Sequence, residues 1–157
     1  VELIPGAGEA VRRLAENGFD LFIVTNQAGI GRGYFTEQQM HATNERVCEE
    51  FTKFGVTFQK IYFAPEPPNQ PSRNRKPSPQ MILDARDEFG IDLTASYMIG
   101  DKALDVECGT NAGVKQSILL RTGYGREHES QLGQAHQPFA VTDTLAEAAT
   151  LILSQAE

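Results

Sequence analysis

The chain has 157 residues, 40% of them hydrophobic and 22% charged, which fits one domain with a sizeable core and an ordinary globular composition. Its net charge of −7 argues against a general nucleic-acid binder, and no apolar run approaches the ~20 residues of a membrane span. Two separated cysteines, Cys48 and Cys108, read as reduced thiols, so the expectation is a cytoplasmic protein.

In chain order, Pro5 and the helical spacing of Val11 and Leu14 predict a first helix, closed by Asn17-Gly18. Leu21-Phe22-Ile23-Val24 is a continuous apolar run, the pattern of a strand buried on both faces. Thr25 to Gly33 reads as a glycine-rich loop, and Thr36 with Gln39 as the capping box of a long helix reaching about Phe54. Phe58 to Phe63 is the next predicted strand. Pro65, Pro67, Pro68 and Pro71 forbid helix or sheet interior between Ala64 and Arg75. A helix is predicted from Ser78-Pro79 to Phe89-Gly90, a strand at Tyr97-Met98-Ile99, and a helix from Ala103 to Asn111, stopped near Gly113. A strand from Gln116 to Arg121, a polar loop from Thr122 to Gln137, a short strand at Phe139-Ala140-Val141 and a helix from Thr144 to Ser154 complete the series. Short strands alternating with helices predict an α/β domain over residues 1–157, with a mainly parallel sheet covered by helices on both faces. In such sheets a site lies outside the carboxyl ends of the strands.

Four predicted strand ends carry polar chemistry. Thr25, Asn26 and Gln27 can hydrogen-bond an oxyanion, although asparagine and threonine are equally at home in turns. Lys76 sits before a helix N-terminus, where free amides favour an anion, or is a solvated loop lysine. Gly100-Asp101-Lys102, followed by Asp105, places carboxylates at a helix start. One of them is the cap a helix needs, and a divalent cation beside a phosphate would use carboxylate oxygens too. Arg121 follows the strand that ends at Leu120. Arg32, Arg73, Arg75, Lys76, Lys102 and Arg121 put six of the fourteen Lys and Arg residues in these loops, which suits a phosphate bridged to Mg²⁺.

Val24-Thr25-Asn26-Gln27, Arg75-Lys76-Pro77 and Gly100-Asp101-Lys102 with Asp105 resemble, in this order, the haloacid dehalogenase superfamily of phosphatases. The run Ala28-Gly29-Ile30-Gly31-Arg32-Gly33-Tyr34, together with Ser78-Pro79 and Leu120-Arg121-Thr122-Gly123, resembles its heptose-bisphosphate and histidinol-phosphate phosphatase subfamily. The resemblance implies a Rossmann-like fold without a large cap domain, Mg²⁺ as cofactor, and a small phosphorylated sugar as substrate, with histidinol phosphate as the alternative. It implies that Thr25, Lys76 and Asp101 are catalytic and meet at one end of the sheet. Asp101 would ligate the metal with Asp105 in support, and Asn26, Gln27, Arg75 and Lys102 would contact substrate. A nucleic-acid 3′-phosphatase is disfavoured by the net charge.

The sequence departs from the family pattern in two places. The family's nucleophile strand ends in Asp-x-Asp, and no such pair occurs in the 157 residues. Val1 to Gly6 matches the segment after that strand. The expectation is therefore a domain lacking its N-terminal strand, phosphatase in its full-length form. A catalytically silent phosphate-binding domain is the reading from another class. Relatives often hold zinc in the loop before Arg-Lys-Pro, but Ala64 to Asn74 contains no cysteine or histidine, so no structural zinc is expected. His41, His128 and His136 are expected at the surface, unrelated to catalysis. No membrane or nucleic-acid partner is expected, and the chain is read as a monomer.

Overall fold

The structure is a computed structural model and describes residues 3–67 and 69–155. Val1, Glu2, Pro68, Ala156 and Glu157 therefore lie outside the described residues. The chain forms two compact units, residues 1–75 and 76–157.

In the first unit, α1 (Ala7–Glu16) buries Ala10, Val11 and Leu14 along one stripe. It ends at Asn17, and Gly18 takes a left-handed φ of 88°. β1 (Phe22–Asn26) pairs in parallel with β2 (Lys60–Ala64), Thr25 opposite Phe63 and Asn26 opposite Ala64. β1 is half-buried along its length, not buried on both faces as its apolar run predicts. Its one ladder among the described residues is to β2. Between them, the predicted glycine loop contains a one-turn helix, α2 (Ala28–Gly31). The capping box of Thr36 and Gln39 starts α3 (Glu37–Thr52) as predicted, with both reciprocal bonds made. Phe51 of α3 meets Phe58 edge-on at 5.2 Å. The described residues between 65 and 75 form no helix or strand, as the prolines of this segment predict.

The second unit holds α4 (Gln80–Phe89), a 3₁₀ turn at Leu93–Ala95, β3 (Tyr97–Gly100), α5 (Ala103–Ala112), β4 (Gln116–Leu120), α6 (Gly125–Glu129), a second 3₁₀ turn at Gln134–His136, β5 (Phe139–Thr142) and α7 (Leu145–Gln155). Its sheet has the order β3-β4-β5, all parallel. Met81, Ile118, Leu119 and Ile152 have at most 1% of their surface exposed, and each contributes about 1.5–3 kcal/mol by leaving water. The predicted polar loop from Thr122 to Gln137 holds α6 and the second 3₁₀ turn. Both are too short to show a helical repeat in sequence. Both cysteines are free thiols.

Candidate active site

In the second unit the site is built where β3 turns into α5. β3 delivers Gly100 and Asp101 at its carboxyl end, and α5 starts two residues later. The carboxylate that closes the helix start is Asp105, three residues beyond the cap residue Lys102, not Asp101. Asp105 Oδ2 accepts the Lys102 N–H at 3.1 Å, and Oδ1 pairs with Lys76 Nζ at 2.5 Å. Their side chains are 7% and 12% exposed, so this is a nearly buried ion pair with a further hydrogen bond. Such a pair holds only if both partners are present. Gly100 leaves the space that the Asp105 carboxylate occupies, because a Cβ there would overlap it.

Asp101 is half-buried. Its Oδ2 accepts the Tyr124 N–H at 3.1 Å, and Oδ1 accepts no hydrogen bond from the described residues. Gly123, at φ 62°, packs where any side chain would run into that carboxylate. One free oxygen at a strand end suits a hard cation that takes one or two carboxylates and fills its shell with water and phosphate. A cage made wholly of protein is absent among the described residues, since no three His, Cys, Asp or Glu side chains stand together there. The donor set fits Mg²⁺ in an open, substrate-completed site.

Lys102 is exposed, its Nζ 5.0 Å from the Tyr124 ring centre. At the first turn of α5, Ala103 N–H donates to His128 Nδ1 at 2.9 Å. His128 thus holds the helix that carries Asp105, and the expectation of an unrelated surface histidine is corrected: it is half-buried and engaged. His136 is corrected likewise, half-buried with Nε2 2.9 Å from Glu107. His41 is exposed as expected. Arg121 is no free strand-end cation. Nε and Nη2 donate to Glu129 at 2.8 and 3.1 Å, and Nη1 to Asp143 at 2.9 Å. These bonds raise the arginine further above its ordinary range and hold the Glu129 carboxyl below its own. Burial pushes the Cys108 thiol up to about 11, with Lys76 opposing and Asp105 adding to the shift. Burial, and then Glu45, raise Cys48.

In the first unit, Thr25 and Asn26 end β1 and Gln27 follows. Gln27 N–H donates to Ala64 O at 2.8 Å, and its side-chain amide donates to Thr25 Oγ1 at 3.2 Å. The strand end is thereby tied to the end of β2. Arg75 was expected to contact substrate. In the structure its Nη2 donates to carbonyls of its own loop, those of Glu66, Pro67 and Gln70, at 3.2, 2.5 and 2.9 Å. Ser72 Oγ donates to Glu66 at 2.9 Å and accepts the Arg75 N–H at 3.1 Å. The loop is held here by the Arg75 guanidinium together with the Ser72 hydroxyl.

A parallel sheet whose strand end presents a half-buried carboxylate beside a lysine–aspartate pair suits a phosphate-handling hydrolase. Residues 73–148 match the HAD-hydrolase-like family. The chain is 41% identical, over 94% of its length and 79% of the relative's, to D-glycero-D-manno-heptose-1,7-bisphosphate 7-phosphatase of Chlorobaculum tepidum. It is also 41% identical, over 78% of its length and 68% of the relative's, to the D-glycero-beta-D-manno-heptose-1,7-bisphosphate 7-phosphatase of Escherichia coli K12. Among solved structures, D,D-heptose 1,7-bisphosphate phosphatase from B. bronchiseptica, complexed with magnesium and phosphate, superimposes with a TM-score of 0.89 at 28% identity, over 98% of this chain and 84% of that one. The chain belongs to the haloacid dehalogenase-like phosphatase family. All three of these relatives are heptose-bisphosphate phosphatases by name, the subfamily that the chain's own motifs resemble.

Proposed function

We propose that the protein is a Mg²⁺-dependent phosphomonoester hydrolase that removes the 7-phosphate of D-glycero-D-manno-heptose 1,7-bisphosphate, working as a cytoplasmic monomer without a nucleic-acid or membrane partner. The observation that carries this reading is the strand-end arrangement of Lys76, Asp105 and Asp101 in a chain 41% identical to a phosphatase of that name. No helix among the described residues is long and apolar enough to cross a membrane.

In this reading residues 1–157 act as one phosphatase domain. Asp101 holds the metal, which supplies charge neutralisation at the phosphoryl oxygens. Lys76, its ammonium fixed by Asp105, provides a second positive charge for those oxygens. Its position is set by the ion pair before substrate arrives, so no reorganisation is needed as charge develops. Thr25 donates its hydroxyl proton in a hydrogen bond to the phosphoryl group, with Gln27 orienting that hydroxyl. Asn26 and Gln27 bind substrate oxygens, and Lys102 adds an exposed cation. Arg75 keeps the 66–70 loop in shape. The family's nucleophilic aspartate is not among these residues, so the chain's own contribution is positioning and charge stabilisation, the larger part of phosphoryl-transfer catalysis.

The test is phosphate release by the full-length protein with Mg²⁺, comparing the heptose bisphosphate with histidinol phosphate. The bisphosphate is expected to be the better substrate, and Asp101→Asn to abolish Mg²⁺-dependent turnover. Preference for histidinol phosphate, or no turnover of either, would reject the substrate assignment.

A further inference from the structure

The two residues that join β3 to α5, and the first residue of α5, all touch one short segment past β4. Asp101 Oδ2 accepts the Tyr124 N–H at 3.1 Å, Lys102 Nζ stands 5.0 Å from the Tyr124 ring centre, and Ala103 N–H donates to His128 Nδ1 at 2.9 Å. We propose that His128 is a positioning residue for the metal carboxylate. It fixes the first turn of α5 so that Asp101 presents its free oxygen, and it thereby sets the affinity for Mg²⁺ while binding only backbone. The proposal rests on the Mg²⁺ reading of Asp101 above.

Three observations carry it. Ala103 is buried, and its N–H is one of the first four amides of a helix, which have no partner inside the helix. A Ser, Thr, Asp or Asn at the cap ordinarily supplies an oxygen to this end. Here the cap residue is Lys102, and the Asp105 carboxylate is occupied by the Lys102 N–H and Lys76. The acceptor for Ala103 comes instead from 25 residues along the chain. Next, an imidazole nitrogen that accepts a hydrogen bond carries no proton, so the ring is neutral with its proton on Nε2. His128 therefore acts through one atom, Nδ1, and on one group.

The third observation is that the two contacts are coupled. His128 N–H donates to Tyr124 O at 3.1 Å, and the two rings lie 6.3 Å apart. The bond to Asp101 and the bond to Ala103 thus come from one helical turn and grip the 101–103 segment at both ends. With the Tyr124 bond alone, the carboxylate has one anchor and is free to rotate about it. Contacts that orient a metal-binding group from outside contribute roughly 10- to 100-fold in metal affinity. His136 is the contrast within the same unit. Its Nδ1 accepts the Gly133 N–H of its own loop and its Nε2 meets Glu107, so it makes no bond to the 101–103 segment.

The experiment measures Mg²⁺ affinity of the full-length protein by calorimetry, without substrate, and follows the Ala103 amide by NMR in the metal-free protein. His128→Ala should weaken Mg²⁺ about 10-fold or more and move the Ala103 amide to the position of an unbonded N–H. His128→Asn, whose Oδ1 takes the place of Nδ1, should restore most of the affinity and the amide position. His128→Gln, whose acceptor lies one bond further out, should restore neither. In turnover, the loss in His128→Ala should be recovered by raising Mg²⁺, since no catalytic group has been removed. His136→Ala should leave Mg²⁺ affinity unchanged. Equal affinity in the Asn and Gln variants, or an unchanged affinity in His128→Ala, would overturn the proposal. If His128→Ala does not fold, the comparison of Asn with Gln still decides. Asp101→Asn tests the metal reading separately: Mg²⁺ bound as tightly as by the unmodified protein would overturn that reading and this proposal with it, whereas failure of the His128 series beside a loss in Asp101→Asn overturns this proposal alone.

Discussion

Lys76 and Asp105 each need the other. Asp105 is 5% exposed, and a carboxylate that deep in protein has lost most of its hydration. The 2.5 Å contact to Lys76 and the Lys102 N–H replace that hydration. Removing one partner of such a pair costs about 3–5 kcal/mol, because the survivor remains charged and buried. Lys76→Met is therefore expected to lower stability by about that much in urea unfolding, as well as to stop catalysis. Asp105→Asn, which keeps the shape and the cap geometry, leaves the ammonium unneutralised and should cost a similar amount. A double replacement, Lys76→Met with Asp105→Asn, should recover much of the loss; additive losses would mean that the two residues act independently. Cys108, with 0% exposure and a thiol pushed up to about 11, provides a local reporter. It should resist alkylation at neutral pH in the native protein and react in the single variants. Its raised value also sets a sign: the unfolded thiol loses its proton near pH 9, the folded one only near 11. This contribution is complete below about pH 9 and lost as the pH rises from there to about 11.

α6 and the strand before it act as one fastening. Arg121, just past β4, clamps Glu129 at the far end of α6 and reaches Asp143 after β5. The same short segment sends Tyr124 N–H to Asp101 and His128 to the first turn of α5. The Glu129 carboxyl lies below its ordinary value chiefly because Arg121 hydrogen-bonds its charged form. A depressed carboxyl contributes stability above its unfolded value, near 4.5, and loses it as the pH falls through the lower folded value. Amides of residues 125–129 are accordingly expected to be the first in this unit to exchange faster on acidification. Arg121→Gln should bring that faster exchange to neutral pH and weaken Mg²⁺ affinity through Asp101. Unchanged exchange in the variant would separate α6 from the site. Little of this fastening was legible in sequence. The helix starts and stops that depend on local chemistry were readable: the Thr36–Gln39 box, and Gly18, Gly90 and Gly113 at left-handed turns. α2 and α6 span only one turn or so and leave no period. The partner of His128 is a backbone amide 25 residues away, and no side-chain pattern announces that.

For the molecule as a whole, the family and the parallel α/β architecture could be read from ordered strand-end motifs, since such motifs are local in sequence. What each charged side chain does there was less accessible, because it depends on contacts between distant segments. Lys76 and Arg75 are neighbours in sequence, yet one faces a carboxylate of α5 and the other the carbonyls of its own loop. With no cysteine or histidine in residues 64–74 and a guanidinium at the loop's centre, the fold is expected not to depend on a bound metal. Exhaustive chelation should abolish turnover, and added Mg²⁺ should restore it, with the thermal unfolding midpoint unchanged throughout. A fall in the midpoint on chelation, reversed by zinc, would count against Arg75 as the loop's support. The strand end also sets a condition on transplanting this site to another protein. Gly100 and Gly123 contribute no functional group, yet each leaves room for a carboxylate that any side chain would displace. A designer who copied only Asp101, Asp105 and Lys76 onto a different α/β scaffold would carry over the chemistry without its mould. The transplant has to include two positions whose whole contribution is an absent methyl group.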